Sequence, residues 1–184
     1  MKVLAIMGSP RAEGNSNYLV DRALEEIGEA GIETEKIILS QYQINPCLGH
    51  DGCPDFTSCT QKDDTAPLLE KFRTAEGVIL ATPVYYYNVS AQMKTFMDRN
   101  YWLYKHNLEY QAKALGLIVV AEQIGIEETL DTLRKMTEDF KVTEESVFTA
   151  TGITNFIGDA AKNLTLVEEA KQLGRSIAQY LKSN

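Results

Sequence analysis

The feature that most constrains this chain is the alternation of short, β-branched apolar runs with longer segments of helical period. Lys2–Met7, Thr34–Leu39, Gly77–Ala81, Ala114–Val120 and Ser146–Ala150 read as strands. Between and after them, Ser16–Glu29, Ala66–Thr74, Ala91–Tyr104, Glu127–Asp139 and Lys162–Lys182 place apolar residues at helical spacing. In the first of these, Leu19, Val20, Ala23, Leu24 and Ile27 make one stripe, with Asp21, Arg22, Glu25 and Glu26 opposite. Such alternation builds right-handed βαβ units around a parallel sheet covered on both faces. The runs beginning at Lys2, Gly77 and Ala114 are apolar almost throughout, as central strands are, while Glu35 and Lys36 mark their run as an edge. The expected architecture is therefore α/β, with five parallel strands in the order 2-1-3-4-5.

Length and charge narrow the function classes. A chain of 184 residues suits one domain spanning 1–184, with a substantial core. The net charge of −8 argues against nucleic acid as a partner, since phosphate-backbone binding needs a basic face. No apolar run approaches the roughly 20 residues of a membrane span, and the run after Met1-Lys2 is too short for a signal peptide. No membrane association and a cytoplasmic location are expected. The three cysteines, Cys47, Cys53 and Cys59, cluster within one irregular segment, 41–64, which follows the second strand. In a cytosolic chain such clustering points to metal or redox use ahead of structural disulfides.

In the expected sheet the winding reverses between strands 1 and 3, and ligands sit at the carboxyl ends of those strands. The loop after strand 1 reads GSPRAEGNSN, Gly8 to Asn17, and runs into a helix start. Backbone N–H groups and the helix dipole there make an anion site. Asn15 stands where a triphosphate-binding loop needs lysine, and Pro10 and Arg11 fill the space that a dinucleotide fingerprint gives to glycines. The remaining donors, Ser9, Arg11, Asn15, Ser16 and Asn17, suit a terminal phosphate monoester. The loop after strand 3 reads TPVYYYNVSAQMKTFMDRN, with three tyrosines, the amide of Asn88, and Ser90 placed to cap the next helix. Tyr85, Tyr86, Tyr87 and Asn88 offer the aromatic wall and polar edge that a planar ring system needs; an aromatic cluster in an oligomer interface is the alternative.

With both loops in view, the chain resembles the flavodoxin-like NAD(P)H-dependent FMN reductase superfamily, and within it the iron–sulfur flavoproteins. The resemblance runs from Met1 to about Arg134, and implies a flavodoxin-like three-layer sandwich. It implies FMN as cofactor, with the phosphate at Ser9, Arg11, Asn15, Ser16 and Asn17 and the ring at Pro83, Val84, Tyr85, Tyr86, Tyr87 and Asn88. The loop after strand 4, AEQIGIEET, partly fits the family's flavin-ring loop through Gln123 and Gly125, although a double glycine is missing. In iron–sulfur flavoproteins the segment after strand 2 holds four cysteines that ligate a [4Fe–4S] cluster. Here Cys47, Cys53 and Cys59 match the first, third and fourth, while His50 stands at the second. Three readings remain open: a cluster with His50 as fourth ligand, a zinc site of three thiolates and one imidazole, and a lost cluster with thiols as small fillers.

The expected activity is that of an FMN-dependent oxidoreductase, with the protein binding the ring and the flavin doing the chemistry. No acid, base or nucleophile triad is needed. The resemblance implies NAD(P)H or ferredoxin as electron donor and a small-molecule acceptor. A non-catalytic flavin-binding module with a metal- or redox-sensing cysteine insert is the alternative. His106 reads as a surface histidine. Phe96, Met97, Tyr101, Trp102 and Tyr104 give one segment more large apolar side chains than one helix face needs, which predicts self-association. The resemblance implies a homodimer or homotetramer, with the insert near a neighbour's flavin.

Overall fold

A computed structural model describes all residues except 56 and 58, and position 54 through its backbone alone, so part of the predicted 41–64 insert lies outside the described residues. Strands β1 (Lys2–Met7), β2 (Glu33–Ile38), β3 (Gly77–Pro83), β4 (Ala114–Ala121) and β5 (Val147–Ile153) pair in parallel in the order β2-β1-β3-β4-β5. The expected order and the edge position of β2 are both found. Helices α1 (Asn15–Glu29), α2 (Thr65–Thr74), α3 (Ala91–Arg99), α4 (Tyr101–Lys105), α5 (Ile126–Met136), α6 (Asp159–Lys162) and α7 (Leu164–Ser183) cover the faces.

Alternation along the strands divides the interior into two cores. Leu4 and Ile6 of β1, Leu80 of β3 and Leu117 of β4 join Leu69 and Phe72 of α2, Phe96 of α3 and Leu133 of α5. Val3, Ala5 and Met7, with Ile79 and Ile118, face the other way onto Leu19, Val20 and Ala23 of α1 and Leu173 and Ile177 of α7. The β4 strand is buried along its whole length, as a strand sandwiched between helices must be. Helices α1 and α7 approach so closely that a Cβ at Gly174 would lie 2.3 Å from the Ala23 carbonyl oxygen.

Among the boundaries that differ from the sequence reading, four have a local polar reason. The predicted Ala91–Tyr104 helix breaks at Asn100, whose Nδ2 donates to the Phe96 carbonyl at 2.8 Å while its Oδ1 accepts from the Tyr110 hydroxyl at 3.1 Å. The helix after β4 stops at Met136, where the Thr137 hydroxyl donates to the carbonyls of Leu133 and Arg134. The final long helix starts at Leu164, capped by Asn163 Oδ1, which accepts from the Leu166 N–H at 3.1 Å. Ser146 closes a 3₁₀ turn against Thr143 instead of opening β5, and the strand runs on to Ile153. No helix among the described residues is long and apolar enough to cross a membrane.

Candidate flavin cleft and cysteine insert

The carboxyl ends of β1 and β3 lie side by side, with the Gly8 N–H donating to the Ala81 carbonyl at 2.8 Å. A Cβ at Gly8 would meet Met93 Cβ at 2.7 Å and Ser90 Oγ at 3.0 Å, so only glycine fits where the first loop leaves the sheet. The Ser90 hydroxyl ties the two loops together. It donates to the Gly8 carbonyl at 2.5 Å and accepts from the Met93 N–H, capping α3 as its position predicts.

Helix α1 opens differently. Its N-cap is Gly14, with no side-chain cap and no acidic residue in the first turn. The first-turn N–H groups of Asn15, Ser16 and Asn17 therefore have no partner within the helix and point out of its positive end. Ser9, buried, closes the loop by accepting from the Arg11 N–H at 3.1 Å. The side-chain amide of Asn15 turns away to the other end of the chain, donating to the Phe156 carbonyl at 2.9 Å and accepting from the Gly158 and Ala160 N–H groups, each at 3.1 Å. The Oδ1 of Asn17 is buried without a hydrogen-bond partner among the described residues.

The three tyrosines form a two-residue hairpin turn. Tyr85 and Asn88 exchange backbone hydrogen bonds of 2.8 and 3.1 Å, and Tyr86 and Tyr87 sit between them at φ of 50° and 61°. Positive φ at both central positions is the mark of a type I′ turn, which ordinarily takes Asn or Gly. Two bulky aromatic residues in this region carry strain of about 1–2 kcal/mol each. The turn leans on Gly125 at the start of α5, where a Cβ would lie 2.8 Å from Val84 and 3.0 Å from the Tyr87 Cα, and Gly125 itself has a φ of 96°. The Gln123–Gly125 loop thus abuts the tyrosine turn. Asn88 spends its Oδ1 on the Val89 N–H at 2.8 Å.

One cleft of about 210 Å³ joins these parts, lined at one end by Ser9, Arg11, Asn15 and Ser16 and in its middle by Pro83, Val84 and Tyr85. A second, of about 360 Å³, shares Val84 and Glu122 with it and is walled by Tyr86, Tyr87, Gln123 and Ile124. The first has the size and donors of a phosphate and polyol site, and the second the walls of a ring site. Asn17 and Asn88 do not line either one. The sequence reading missed Glu122 and the stretch Thr154–Ile157 after β5, which forms the far wall of the first cleft. Their only signal was position, at the carboxyl ends of β4 and β5.

The cysteine insert hangs on α3. Asp63 and Asp64 accept from the N–H groups of Asn45 and Gln43, pinning the two ends of the insert together. The Arg99 guanidinium, at the end of α3, pairs with Asp63, donates to the Asn45 carbonyl at 3.0 Å and donates to the Cys59 sulfur at 3.3 Å. Cys47 Sγ accepts from the Gly49 N–H at 3.4 Å. Burial pushes the Cys53 thiol up, and the neighbouring Cys59 and Cys47 thiols add to the shift. His106 is half-buried, not a surface histidine. Its ring stacks on Trp102 at 3.6 Å and its Nε2 lies 3.1 Å from the Cys53 carbonyl oxygen. Among the described residues no three His, Cys, Asp or Glu side chains are gathered as a metal site. The aromatic excess of 96–104 is explained in part by the break at Asn100. Phe96 is core, Met97 and Trp102 pack against it, and Tyr104 stays exposed.

Comparison with known proteins identifies the family. The chain is 36% identical to an iron-sulfur flavoprotein of Methanocaldococcus jannaschii, over 99% of this chain and 98% of that one. It is also 36% identical to an iron-sulfur flavoprotein of Archaeoglobus fulgidus, over 100% of this chain and 81% of the relative. Among solved structures it shares its fold with the NAD(P)H:quinone oxidoreductase of Methanothermobacter marburgensis (TM-score 0.73, 15% identity, 96% of each chain). Another fold neighbour is an archaeal flavodoxin (TM-score 0.60, 16% identity, 99% of each chain). A family model described as NADPH-dependent FMN reductase matches residues 1–150, the span that carries the phosphate loop, the tyrosine turn and the Gln123 loop. The chain belongs to the NADPH-dependent FMN reductase family and is an FMN-dependent oxidoreductase of flavodoxin-like fold.

Proposed function

We propose that the enzyme passes electrons from NAD(P)H to a small-molecule acceptor through FMN bound in the joined clefts. The observation that carries this reading is the meeting of an uncapped helix start and a strained tyrosine turn in one cleft. The first-turn N–H groups of α1, with Arg11, Ser9 and Ser16, hold the phosphate; the hydrogen bonds donated to it are charge-assisted. Pro83, Val84 and Tyr85 flank the polyol, and Tyr86, Tyr87 and Gln123 wall the ring. The chemistry supplied by bound FMN is electron exchange in pairs or singly. No side chain need act as acid or base; the residues bind, orient and exclude water from one ring face.

The decisive experiment is anaerobic mixing of the flavin-loaded protein with NADH and NADPH. Loss of flavin absorbance within seconds supports the reductase. A flavin that stays oxidised with both, yet is reduced by ferredoxin or dithionite, replaces the donor and leaves the FMN site standing. A purified protein that takes up no FMN refutes both.

A second reading is favoured by the two cysteine sulfurs that already accept N–H groups and by the iron-sulfur flavoproteins among the relatives. In it Cys47, Cys53, Cys59 and His50 close on a cluster and ferredoxin is the donor. Iron and acid-labile sulfide in anaerobically purified protein would establish it; a flavin spectrum with neither would remove it. Self-association as a homodimer or homotetramer in the cytoplasm belongs to the same proposal. The exposed tyrosine turn supports it, and the mass in solution tests it.

A further inference from the structure

The family match ends at residue 150, yet the far wall of the phosphate cleft is built from Thr154, Asn155, Phe156 and Ile157, beyond that match. This stretch is held in place with unusual thoroughness for a surface connection. The Thr154 N–H donates to the Ala121 carbonyl at 2.8 Å, extending the β4–β5 pairing past the strand end. Asp159 Oδ2 accepts from the Asn155 and Phe156 N–H groups at 3.1 and 2.8 Å. From the opposite side the Asn15 amide makes the three hydrogen bonds to Phe156, Gly158 and Ala160 described above. Gly158, at a φ of 87°, provides the turn that brings its N–H back toward Asn15.

So many anchors would bury the apolar side chains if packing were their purpose. Instead Phe156 is 75% and Ile157 62% exposed, and both line the cleft that carries the polar donors Ser9, Arg11 and Ser16. A pinned backbone that presents two large apolar side chains beside a phosphate site is arranged for a ligand with an anionic end and an apolar body.

We infer that the 154–158 loop is a third wall of the flavin site, with Phe156 and Ile157 covering the flavin beyond its phosphate. Asn15 is a positioning residue that couples this loop to the phosphate loop. Its side chain does not ligate phosphate; only its backbone N–H faces that way. Occupation of the phosphate loop thus sets the loop after β5, because one side chain belongs to both. The inference rests on the FMN reading and deepens it.

The test compares FMN with riboflavin, which lacks the phosphate, and follows cleavage by chymotrypsin after Phe156, mapped by mass spectrometry. Truncating exposed Phe156 removes no core packing, so Phe156→Ala folds; it raises the dissociation constants of FMN and riboflavin alike, by about tenfold. Asn15→Ala weakens both flavins by one common factor and speeds cleavage at Phe156 in flavin-free protein. Arg11→Ala weakens FMN alone. FMN protects Phe156 in the unaltered protein. Unchanged affinity of Phe156→Ala for both flavins, with no protection by FMN, would overturn the third wall while leaving FMN binding intact. A selective loss of FMN over riboflavin in Asn15→Ala would make Asn15 a phosphate ligand and overturn its positioning role. Protection that follows protein concentration and not FMN would assign the apolar pair to a contact between copies. Failure of the unaltered protein to bind either flavin would strike the FMN reading itself.

Discussion

The buried pair of Arg99 and Asp63 allows a stability effect to be worked in numbers. Their side chains are 2% and 1% exposed, and Asp63 also accepts from the N–H groups of Asn45 and Thr65. Arg99→Met leaves a buried carboxylate without its counter-charge, a change that costs about 3–5 kcal/mol. Asp63→Leu strands the guanidinium at a similar cost. The double variant removes both charges and is expected to cost less than either single change. Acid gives a second handle. Burial drives the Asp63 carboxyl upward, but the Arg99 guanidinium and the backbone N–H groups outweigh it and hold the carboxyl at about 2, against an ordinary 3.8. A carboxyl depressed in the folded state adds stability above its unfolded value, and that stability is lost as pH falls through 3.8 toward about 2. The contribution at neutral pH is on the order of 2–3 kcal/mol. Urea unfolding of flavin-free protein over that range should show the gap between the unaltered protein and Arg99→Met narrowing as pH falls. A gap below about 1 kcal/mol at neutral pH, the size of a surface pair, would refute the reasoning. So would one that ignores pH.

Arg11→Ala should weaken FMN binding by about 1.5–3 kcal/mol, the loss of a charge-assisted hydrogen bond, measured by quenching of flavin fluorescence. Tyr86 is fully exposed and strained at a φ of 50°, so Tyr86→Gly should leave the thermal midpoint of flavin-free protein level or higher. A clear fall would mean that the turn is not under strain. Two helical glycines should respond with opposite sign. A Cβ at Gly28 meets nothing within 4 Å, so Gly28→Ala should stabilise by about 0.5–1 kcal/mol. At Gly174 it would strike the Ala23 carbonyl oxygen at 2.3 Å, so Gly174→Ala should destabilise by about 1–3 kcal/mol in urea unfolding.

Where the sequence was legible, one periodicity answered one question. The apolar runs at Val3, Val78 and Leu115 have no polar face to hide, so they had to be central, and Glu35 and Lys36 had to lie at an edge. The phosphate loop was legible because spacing excludes its rivals: no lysine where Asn15 stands, no close glycines where Pro10 and Arg11 stand. Roles set by contacts across the chain were not legible. Asn15 looked like one more donor for phosphate, and only the fold shows its amide bonded to residues more than a hundred positions away. Asn100 breaks a helical pattern that periodicity alone reads as continuous, because its amide finds Phe96 and Tyr110. His106 reads as a surface histidine in sequence because its contact with the Cys53 carbonyl, fifty-three positions away, forms only through folding. The strain at Tyr86 and Tyr87 is likewise invisible in composition, since nothing about three tyrosines announces a turn with positive φ.

Helix α3 ties the insert to the switch point of the sheet. Its first turn is fixed by Ser90 to Gly8, at the switch point of the sheet, and its last residue, Arg99, is fixed to Asn45, Cys59 and Asp63. A helix of nine residues is about 14 Å long, and both of its ends are held by buried hydrogen bonds. The insert is thus held at a set distance from the flavin cleft. None of its described residues lines either part of that cleft. In the self-association proposed above, the exposed Tyr86 turn and the face between Cys47 and Tyr101 are the surfaces through which the insert would meet the cleft of a second copy. In an assembly built that way flavin affinity rises with protein concentration, and in a monomer it does not. Flavin affinity measured across protein concentrations therefore separates the two cases.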